Sequence, residues 1–244
     1  MAFHKAHNWL LILFFVLATS VPSMADTDPQ ILIKFKRSLS NSEALHNWGN
    51  DSISMCKWVG ILCMKENFHG LTLEGMGLSG VIDVDTLLEL STLRSFSVMN
   101  NSFEGSMPDF KRLVGLRKLI LSKNKFYGEI HDDAFAGMKN LKGVFLAENG
   151  FKGNIPKSLA ELPNLLDLDL HGNSFQGRIP EFQTKQHLRF LNLSYNQFEG
   201  PIPPKISDRD PSAYAGNKGL CEKPLSPCLT SPPQEASHPY NSYP

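Results

Sequence analysis

The sequence lacks an excess of either charge. Across 244 residues, 24 Lys and Arg balance 24 Asp and Glu, so the formal net charge is zero. Without a basic excess there is no overall field that would attract nucleic acid. The chain is not poor in hydrophobic residues either, at 41 % against 20 % charged residues, which excludes a disordered composition. We therefore expect a folded protein without a nucleic-acid partner.

Apolar runs of membrane-spanning length are also lacking. The most apolar stretch covers residues 9–18, well short of the ~20 residues that a spanning helix needs. Lys5 precedes it and the small residues Ser23 and Ala25 follow it, a pattern typical of a secretory signal peptide over residues 1–25. We expect the mature chain on the extracellular side of the plasma membrane, attached only through a transmembrane segment that this sequence does not contain, or secreted if it ends at Pro244.

Motifs of catalytic chemistry are missing too, because the sequence has no Gly-rich phosphate loop and no nucleophile elbow. One predicted strand carries Asp167, Asp169 and His171 at every second position, so their side chains would share one face. The two carboxylates would then lie ~6–7 Å apart. That separation is near the one used by inverting glycosidases, and such a row would also suit a metal. An open strand face, however, offers no pocket that excludes water. We therefore expect no enzymatic activity, no metal and no cofactor.

Cysteine is scarce, with four residues in two close pairs. Each pair, Cys56 with Cys63 and Cys221 with Cys228, encloses six residues. In an oxidising compartment this spacing predicts two local disulfides, the one pairing of three that does not cross the whole chain. A zinc site would need closer cysteines or histidines at ligand spacing. The two disulfides are expected to close the two ends of an elongated domain.

Leucine, by contrast, is abundant and regularly spaced. Six segments follow the pattern L-x-L-x-x-N-x-F-x-G-x-I-P, at intervals of 25, 23, 25, 24 and 23 residues. This period is typical of leucine-rich repeats, in which short strands bury their leucines by stacking. We predict an α/β repeat solenoid, a right-handed leucine-rich-repeat superhelix of about six repeats over residues 68–206. The asparagine position of each segment is predicted to satisfy backbone groups of neighbouring coils: Met76 (the exception), Asn101, Asn124, Asn149, Asn173 and Asn196.

A solenoid needs a cap at each end to cover its apolar core. Thr27, Asp28 and Pro29 indicate the start of a helix, and Trp48 and Trp58 are expected to shield the first repeat. Leu32, Phe35 and Leu39 would line one face of this helix. We assign residues 26–67 to the N-terminal cap and residues 207–228 to the C-terminal cap. Residues 229–244, rich in Pro and Ser, are predicted to form a disordered linker.

Residues 26–228 resemble the extracellular domains of plant leucine-rich-repeat receptor-like kinases. The repeat form is the plant-specific type, and the segments from Cys56 to Cys63 and from Gly216 to Cys221 match the family's two caps. Within this group, the small number of repeats and the segment 206–209 resemble those of the pollen receptor-like kinases. Glu222 stands where the family's C-terminal cap usually has glycine. The resemblance implies a sensor of secreted cysteine-rich peptides at the pollen-tube surface, with a co-receptor as a further partner. In the family a transmembrane helix and a kinase or pseudokinase domain follow.

The predicted concave sheet is the first candidate surface for a peptide. Its charge changes from basic in the early repeats to acidic in the fourth and fifth, and aromatic residues join in the sixth. The resemblance points instead to the edge of the C-terminal cap, and a solvated sheet without a partner is the plain alternative. The candidate residues are Phe145, Glu148, Asp167, Asp169, His171, Phe190 and Tyr195 on the sheet, and Asp208, Arg209 and Asp210 at the cap.

A different function is also compatible with the cap motifs. They are similar to those of soluble, secreted leucine-rich-repeat inhibitors of cell-wall glycanases. Three glycosylation sequons begin at Asn50, Asn100 and Asn192. A glycan on Asn192 would cover part of the concave sheet and shift binding toward the cap edge.

Overall fold

The computed structural model describes residues 26–184 and 188–229. The predicted signal peptide lies outside these residues, as does the predicted linker apart from Leu229. Among the described residues, no helix has the length and apolar character needed to cross a membrane. The helices are α1 (Asp28–Ser38), α2 (Val84–Glu89) and α3 (Lys157–Ala160).

The N-terminal cap begins at the predicted helix start. The Gln30 side chain accepts a hydrogen bond from the Thr27 backbone N–H at 2.8 Å, which satisfies one free donor of the first turn of α1. Leu32 and Phe35 are fully buried, and Leu39 is buried just beyond the helix. Trp48 and Trp58 are both buried and stack with 6.2 Å between ring centroids, and the predicted Cys56–Cys63 disulfide is confirmed.

One strand from each coil builds a seven-stranded sheet, here called the first sheet. Its strands run parallel except for the hairpin at the N-terminal end, where β2 pairs antiparallel with β3. The central residue of each parallel strand, from Leu71 to Leu191, is a buried leucine, phenylalanine or valine, while its neighbours face outward. The strands, numbered in chain order, are β2 (Ile61–Met64), β3 (Asn67–Thr72), β5 (Ser95–Ser97), β7 (Lys118–Ile120), β9 (Gly143–Phe145), β11 (Asp167–Asp169) and β13 (Phe190–Asn192).

A six-stranded second sheet runs along the other side of the core. Five phenylalanines stack along it, with centroids 6.1–6.4 Å apart: Phe103, Phe126, Phe151, Phe175 and Phe198. Its strands are β6 (Glu104–Gly105), β8 (Lys125–Glu129), β10 (Gly150–Gly153), β12 (Ser174–Gly177), β14 (Gln197–Pro201) and β15 (Gly219–Cys221). The remaining strands, β1 (Leu39–Ser40) and β4 (Ser79–Gly80), pair antiparallel and join the N-terminal cap to the first coil.

Between the two sheets runs the predicted ladder of asparagine side chains. In each coil the amide nitrogen donates to main-chain carbonyls, and the amide oxygen accepts from a main-chain N–H of the preceding coil. Asn149, for example, donates to the carbonyls of Leu121, Leu146 and Ala147 and accepts from the Phe126 N–H. The ladder continues one step further than the sequence analysis predicted, because Asn217 in the C-terminal cap makes the same set of bonds.

The C-terminal cap closes the solenoid with two short 3-10 turns, Pro204–Ile206 and Pro211–Tyr214, and with strand β15. The hydroxyl of Tyr214 donates to the carbonyl of Ile206 at 2.5 Å, and burial raises the pKa of this phenol. The predicted Cys221–Cys228 disulfide is confirmed. The capped leucine-rich-repeat solenoid predicted from the sequence is therefore the fold.

Candidate functional site

A stacked aromatic pair, the half-buried Phe145 and the exposed Phe190, lies on the outer face of the first sheet. Phe145 in β9 and Phe190 in β13 stack across the intervening strand β11, with centroids 6.5 Å apart and planes 22° apart. The Lys118 ammonium lies 5.1 Å from the Phe145 ring centroid, within range of a cation–π contact. Phe190 is 44 % exposed. The pair therefore offers apolar contact area to a partner.

The backbone leaves room for this arrangement at Gly143. A Cβ atom at this position would lie 3.0 Å from the Phe145 ring and 3.4 Å from the Lys118 side chain. Any larger residue would push the ring out of its place over the strand. The Phe145 ring thus packs against the bare backbone of Gly143, between the Lys118 side chain and the Phe190 ring.

A second feature of the same face is a charged network formed by Lys123, Glu148, Asp169 and His171. The Nδ1 atom of His171 lies 2.7 Å from a carboxylate oxygen of Asp169, and its Nε2 lies 3.4 Å from Glu148. Lys123 approaches the same Glu148 oxygen at 3.4 Å. Lys123 and Glu148 are about half exposed, whereas Asp169 is largely covered.

Asp167 is also paired, with an arginine that the sequence analysis did not select. The Arg189 guanidinium binds this carboxylate through two nitrogens, one bond measuring 2.9 Å, and the carboxylate raises the pKa of the arginine. Strand pairing places Phe190 opposite Asp167, so Arg189 is the residue just before that position on the neighbouring coil. A separation of 22 residues, one less than the register spacing of these two coils, is the signal that could have revealed the pair.

These pairings change the expected electrostatics of the face. The sequence predicted an acidic stretch in the fourth and fifth repeats, but each of its carboxylates lies beside a cation or a histidine. Opposite charges on adjacent coils are close enough to pair, so the net field is weaker than the count of acids suggests. Among the described residues, no group of three or more His, Cys, Asp or Glu side chains is arranged to hold a metal ion.

Tyr195 marks the border between the first sheet and the C-terminal cap. It is 66 % exposed, and its backbone has a left-handed φ of 54°. Its N–H donates to the carbonyl of Ala215 at 2.6 Å, which ties the last repeat to the cap. A Cβ atom at Gly216 would lie 2.8 Å from the tyrosine ring, so the ring rests on bare backbone.

The three candidate residues at the cap edge differ in their availability. Arg209 donates through Nη2 to the Leu188 carbonyl and is mostly covered. Asp210 accepts from the Ser212 N–H at 2.9 Å, and this bonding to Ser212 lowers the pKa of its carboxyl. Asp208 is 67 % exposed and only 3.5 Å from the Arg209 guanidinium. Asp208 and Asp210 are thus both exposed, whereas Arg209 is engaged with the main chain.

The three sequon asparagines also occupy different environments. Asn50 and Asn100 are exposed. Asn192 lies on the first sheet, is half-buried, and accepts hydrogen bonds from the backbone N–H and hydroxyl of Ser194. Because Asn192 and Phe190 both belong to β13, a glycan at Asn192 would stand close to the aromatic pair.

Comparison with known proteins identifies the family that the chain resembles. Models described as leucine-rich repeat match residues 114–175 and 187–208, and one described as leucine-rich repeat N-terminal domain matches residues 25–64. Pollen receptor-like kinase 2 of Arabidopsis thaliana is 44 % identical over 96 % of this chain, which spans 35 % of that protein. The chain thus covers about a third of the length of the curated relatives it matches.

Solved structures agree with the sequence relatives. The crystal structure of a pollen receptor kinase 3 has a TM-score of 0.74 and 40 % identity, covering 82 % of this chain and 99 % of the other. The Arabidopsis receptor kinase HAESA, solved with the peptide hormone IDA and the co-receptor SERK1, has a TM-score of 0.65 and 30 % identity, covering 80 % of this chain and 33 % of the other. The chain therefore belongs to the leucine-rich-repeat receptor-like kinases of plants, as an ectodomain of the pollen receptor-like kinase type.

Proposed function

We propose that this ectodomain senses a secreted cysteine-rich peptide on the outer face of the first sheet, toward the C-terminal repeat and cap. The observation that carries the proposal is the stacked aromatic pair, Phe145 and Phe190, with Tyr195 exposed on the same coil as Phe190. Exposed aromatic side chains on a rigid sheet are the kind of residue that dominates peptide recognition.

The charges around the aromatic pair support a ligand with both polar and basic groups. Glu148 on the sheet side and Asp208 at the cap are candidate carboxylates that remain accessible, 47 % and 67 % exposed. Glu148 shares its charge with Lys123 and His171, so a basic ligand would have to compete for it. Electrostatics would then contribute more to orientation and association rate than to affinity.

The relatives support the same function. HAESA was solved with a peptide hormone and a co-receptor, and its repeats superpose on this chain. We infer by analogy that the ectodomain lies on the extracellular side of the plasma membrane and works with a co-receptor. The alternative of a soluble glycanase inhibitor gains no support from these relatives, which are receptor kinases.

The proposal can be tested by calorimetry. A panel of folded, basic cysteine-rich peptides is titrated into the secreted, glycosylated protein. We expect one peptide of such a panel to bind, and expect Phe190→Ala and Tyr195→Ala each to weaken it about tenfold or more. Tyr127→Ala is the matched control, because Tyr127 is a similarly exposed aromatic residue on the second sheet. The Tyr127→Ala variant should bind the peptide with the affinity of the wild type.

The variant Asp208→Lys separates the sheet face from the cap edge. Loss of binding in Asp208→Lys, with Phe190→Ala unchanged, would move the site to the cap. Equal losses in Tyr127→Ala and Phe190→Ala would show that no defined site exists. A failure of the wild type to bind any peptide, with the co-receptor present or absent, would contradict the proposed function.

A further inference from the structure

The imidazole of His171 lies between two carboxylates on the outer face of the first sheet. Its Nδ1 atom is 2.7 Å from a carboxylate oxygen of Asp169, and its Nε2 atom is 3.4 Å from one of Glu148. The Asp169 side chain is 14 % exposed and that of Glu148 is 47 % exposed. Asp169 therefore holds the ring from within the face, whereas Glu148 is the carboxylate that a ligand can reach.

The contact with Asp169 determines where the neutral ring carries its proton. A neutral imidazole has one N–H donor and one acceptor nitrogen, and a carboxylate can only accept. With Nδ1 donating to Asp169, the neutral ring presents the lone pair of Nε2 to the Glu148 carboxylate, and two acceptors do not bind each other. Protonation converts Nε2 into a second donor, so the imidazolium binds both carboxylates. One proton thus decides whether His171 holds Glu148.

Glu148 has a second cation beside it. Lys123 lies 3.4 Å from the same carboxylate oxygen. Both side chains of this pair are about half exposed, so the pair contributes little and a ligand can displace it. An ordinary lysine keeps its charge between about pH 5 and pH 8. A change in the availability of Glu148 over this range therefore depends on His171.

The other groups around the charged network are not of a type that titrates in this range. Histidine is the one side chain whose ordinary charge change falls between about pH 5 and pH 8. The strand of His171 and the coils on either side of it contribute the other charged or titratable side chains: Lys142, Glu148, Asp167, Asp169, Arg189 and Tyr195. Among the described residues that flank the network, His171 is therefore the group expected to respond to pH in this range.

We propose that protonation of His171 controls whether Glu148 can bind a cationic group of the peptide. This rests on the function proposed above and specifies how the sheet surface responds to pH. With His171 neutral, a basic group of the ligand competes only with the exposed Lys123 for Glu148. With His171 protonated, Glu148 is occupied and the face carries one more positive charge, and both changes oppose a basic ligand. Binding therefore favours the neutral ring, and the affinity should fall as the pH falls from about 8 to about 5.

The first measurement needs no ligand. In the secreted protein labelled with ¹⁵N-histidine, long-range ¹H–¹⁵N spectra show which ring nitrogen carries the proton at about pH 8. The signal that is lost in His171→Gln identifies His171. We expect the proton on Nδ1, as the 2.7 Å contact with Asp169 requires. A proton on Nε2 would overturn the proposal, because the neutral ring would then donate to Glu148 at every pH.

The second measurement follows the affinity of the peptide selected in the calorimetry panel, at about pH 5.5 and about pH 7.5. We expect the wild type to bind about threefold to fivefold more weakly at the lower pH, the range that a half-exposed ion pair can contribute. The variant His171→Gln should lose this difference. The matched control is His69→Gln, which removes a half-buried histidine from β3 of the same sheet and should keep the difference.

The possible failures can be told apart. If no peptide binds at either pH, the proposed function fails, and the control by His171 fails with it. If a peptide binds with the same affinity at both pH values, only the control by His171 is overturned. The same holds if the affinity changes equally in the wild type and in His171→Gln, because a pH dependence that came from the peptide itself would persist in every variant.

Discussion

At the scale of single residues, the asparagine ladder replaces hydrogen bonds that the tight turns of the backbone cannot make. Each amide satisfies main-chain groups on two coils, and the groups lie beneath the surface where water does not reach them. A buried polar group without a partner costs free energy comparable with a whole hydrogen bond. The ladder therefore determines how strongly each turn is held, while the leucines supply the apolar core.

The variant Asn149→Ala measures this contribution. It leaves the Phe126 N–H without an acceptor and removes one donor from each of three carbonyls, those of Leu121, Leu146 and Ala147. These carbonyls keep bonds from Asn124, Asn173 and the Lys123 N–H. We expect the free energy of unfolding in urea to fall by about 3 kcal/mol. The matched control is Asn140→Ala, which removes one exposed bond to the Val114 carbonyl and should cost less than about 1 kcal/mol. Equal losses in the two variants would contradict the structural role of the ladder.

Glycine makes a distinct contribution where the last repeat meets the C-terminal cap. Gly216 has a φ of +77°, and a Cβ atom there would lie 2.8 Å from the Tyr195 ring and 3.0 Å from its Cα. Gly216→Ala therefore adds both backbone strain and a steric clash, and we expect it to cost about 3 kcal/mol in urea unfolding. Gly77 has a similar φ of +67°, but a Cβ atom there would meet no atom within 4 Å. Gly77→Ala should therefore cost only about 1 kcal/mol, from backbone strain alone. Similar losses in both variants would mean that the contact with Tyr195 is unimportant.

At the scale of elements, the helix α2 depends on a cap that replaces the proline of the repeat pattern. Asp83 accepts hydrogen bonds from the N–H and the hydroxyl of Thr86, and this bonding lowers the pKa of its carboxyl. A lowered pKa in the folded state means that the cap stabilises the protein fully above the unfolded value of ~3.9 and loses this effect as the pH falls through the folded value.

The variant Asp83→Ala should therefore be less stable than the wild type by about 1 kcal/mol at neutral pH. The difference should shrink below the pKa of the unfolded carboxyl, because the wild type then loses its charged cap as well. Urea unfolding across a pH series measures it. Asp83→Asn keeps a side-chain acceptor without the charge and should remove most of the pH dependence. A difference between Asp83→Ala and the wild type that stays constant down to pH 2 would refute the assignment.

The contrast between predicted and observed elements has a physical cause. Strand positions and buried leucines followed from the period of the sequence, because every coil repeats the same backbone, whereas both disulfides followed from the close spacing of the cysteines. The partners of Asp167 and Asp169 did not, since they depend on which side chains meet across adjacent coils. Asn217 was not predicted as a member of the ladder because the cap lacks the surrounding leucine pattern.

At the scale of the whole molecule, stability is expected to be distributed along the solenoid. Each parallel strand pairs only with strands of the preceding and following coils, so a disturbance at one end reaches the other only through all intervening coils. The two disulfides stand at opposite ends, beside β2 and at β15. Trp48 and Trp58 both belong to the N-terminal cap, and their fluorescence therefore reports on that end alone.

This arrangement predicts that the two caps unfold independently of each other. Replacing Cys221 and Cys228 with serine should cost about 2–3 kcal/mol and accelerate hydrogen exchange in β14 and β15, while tryptophan fluorescence keeps its native midpoint in urea. Replacing Cys56 and Cys63 with serine should lower that fluorescence midpoint and leave exchange in β14 and β15 slow. Each variant serves as the control for the other. If both variants instead lowered the fluorescence midpoint and loosened every strand equally, the solenoid would unfold as one cooperative unit, and its caps would protect the whole core instead of the nearest coils.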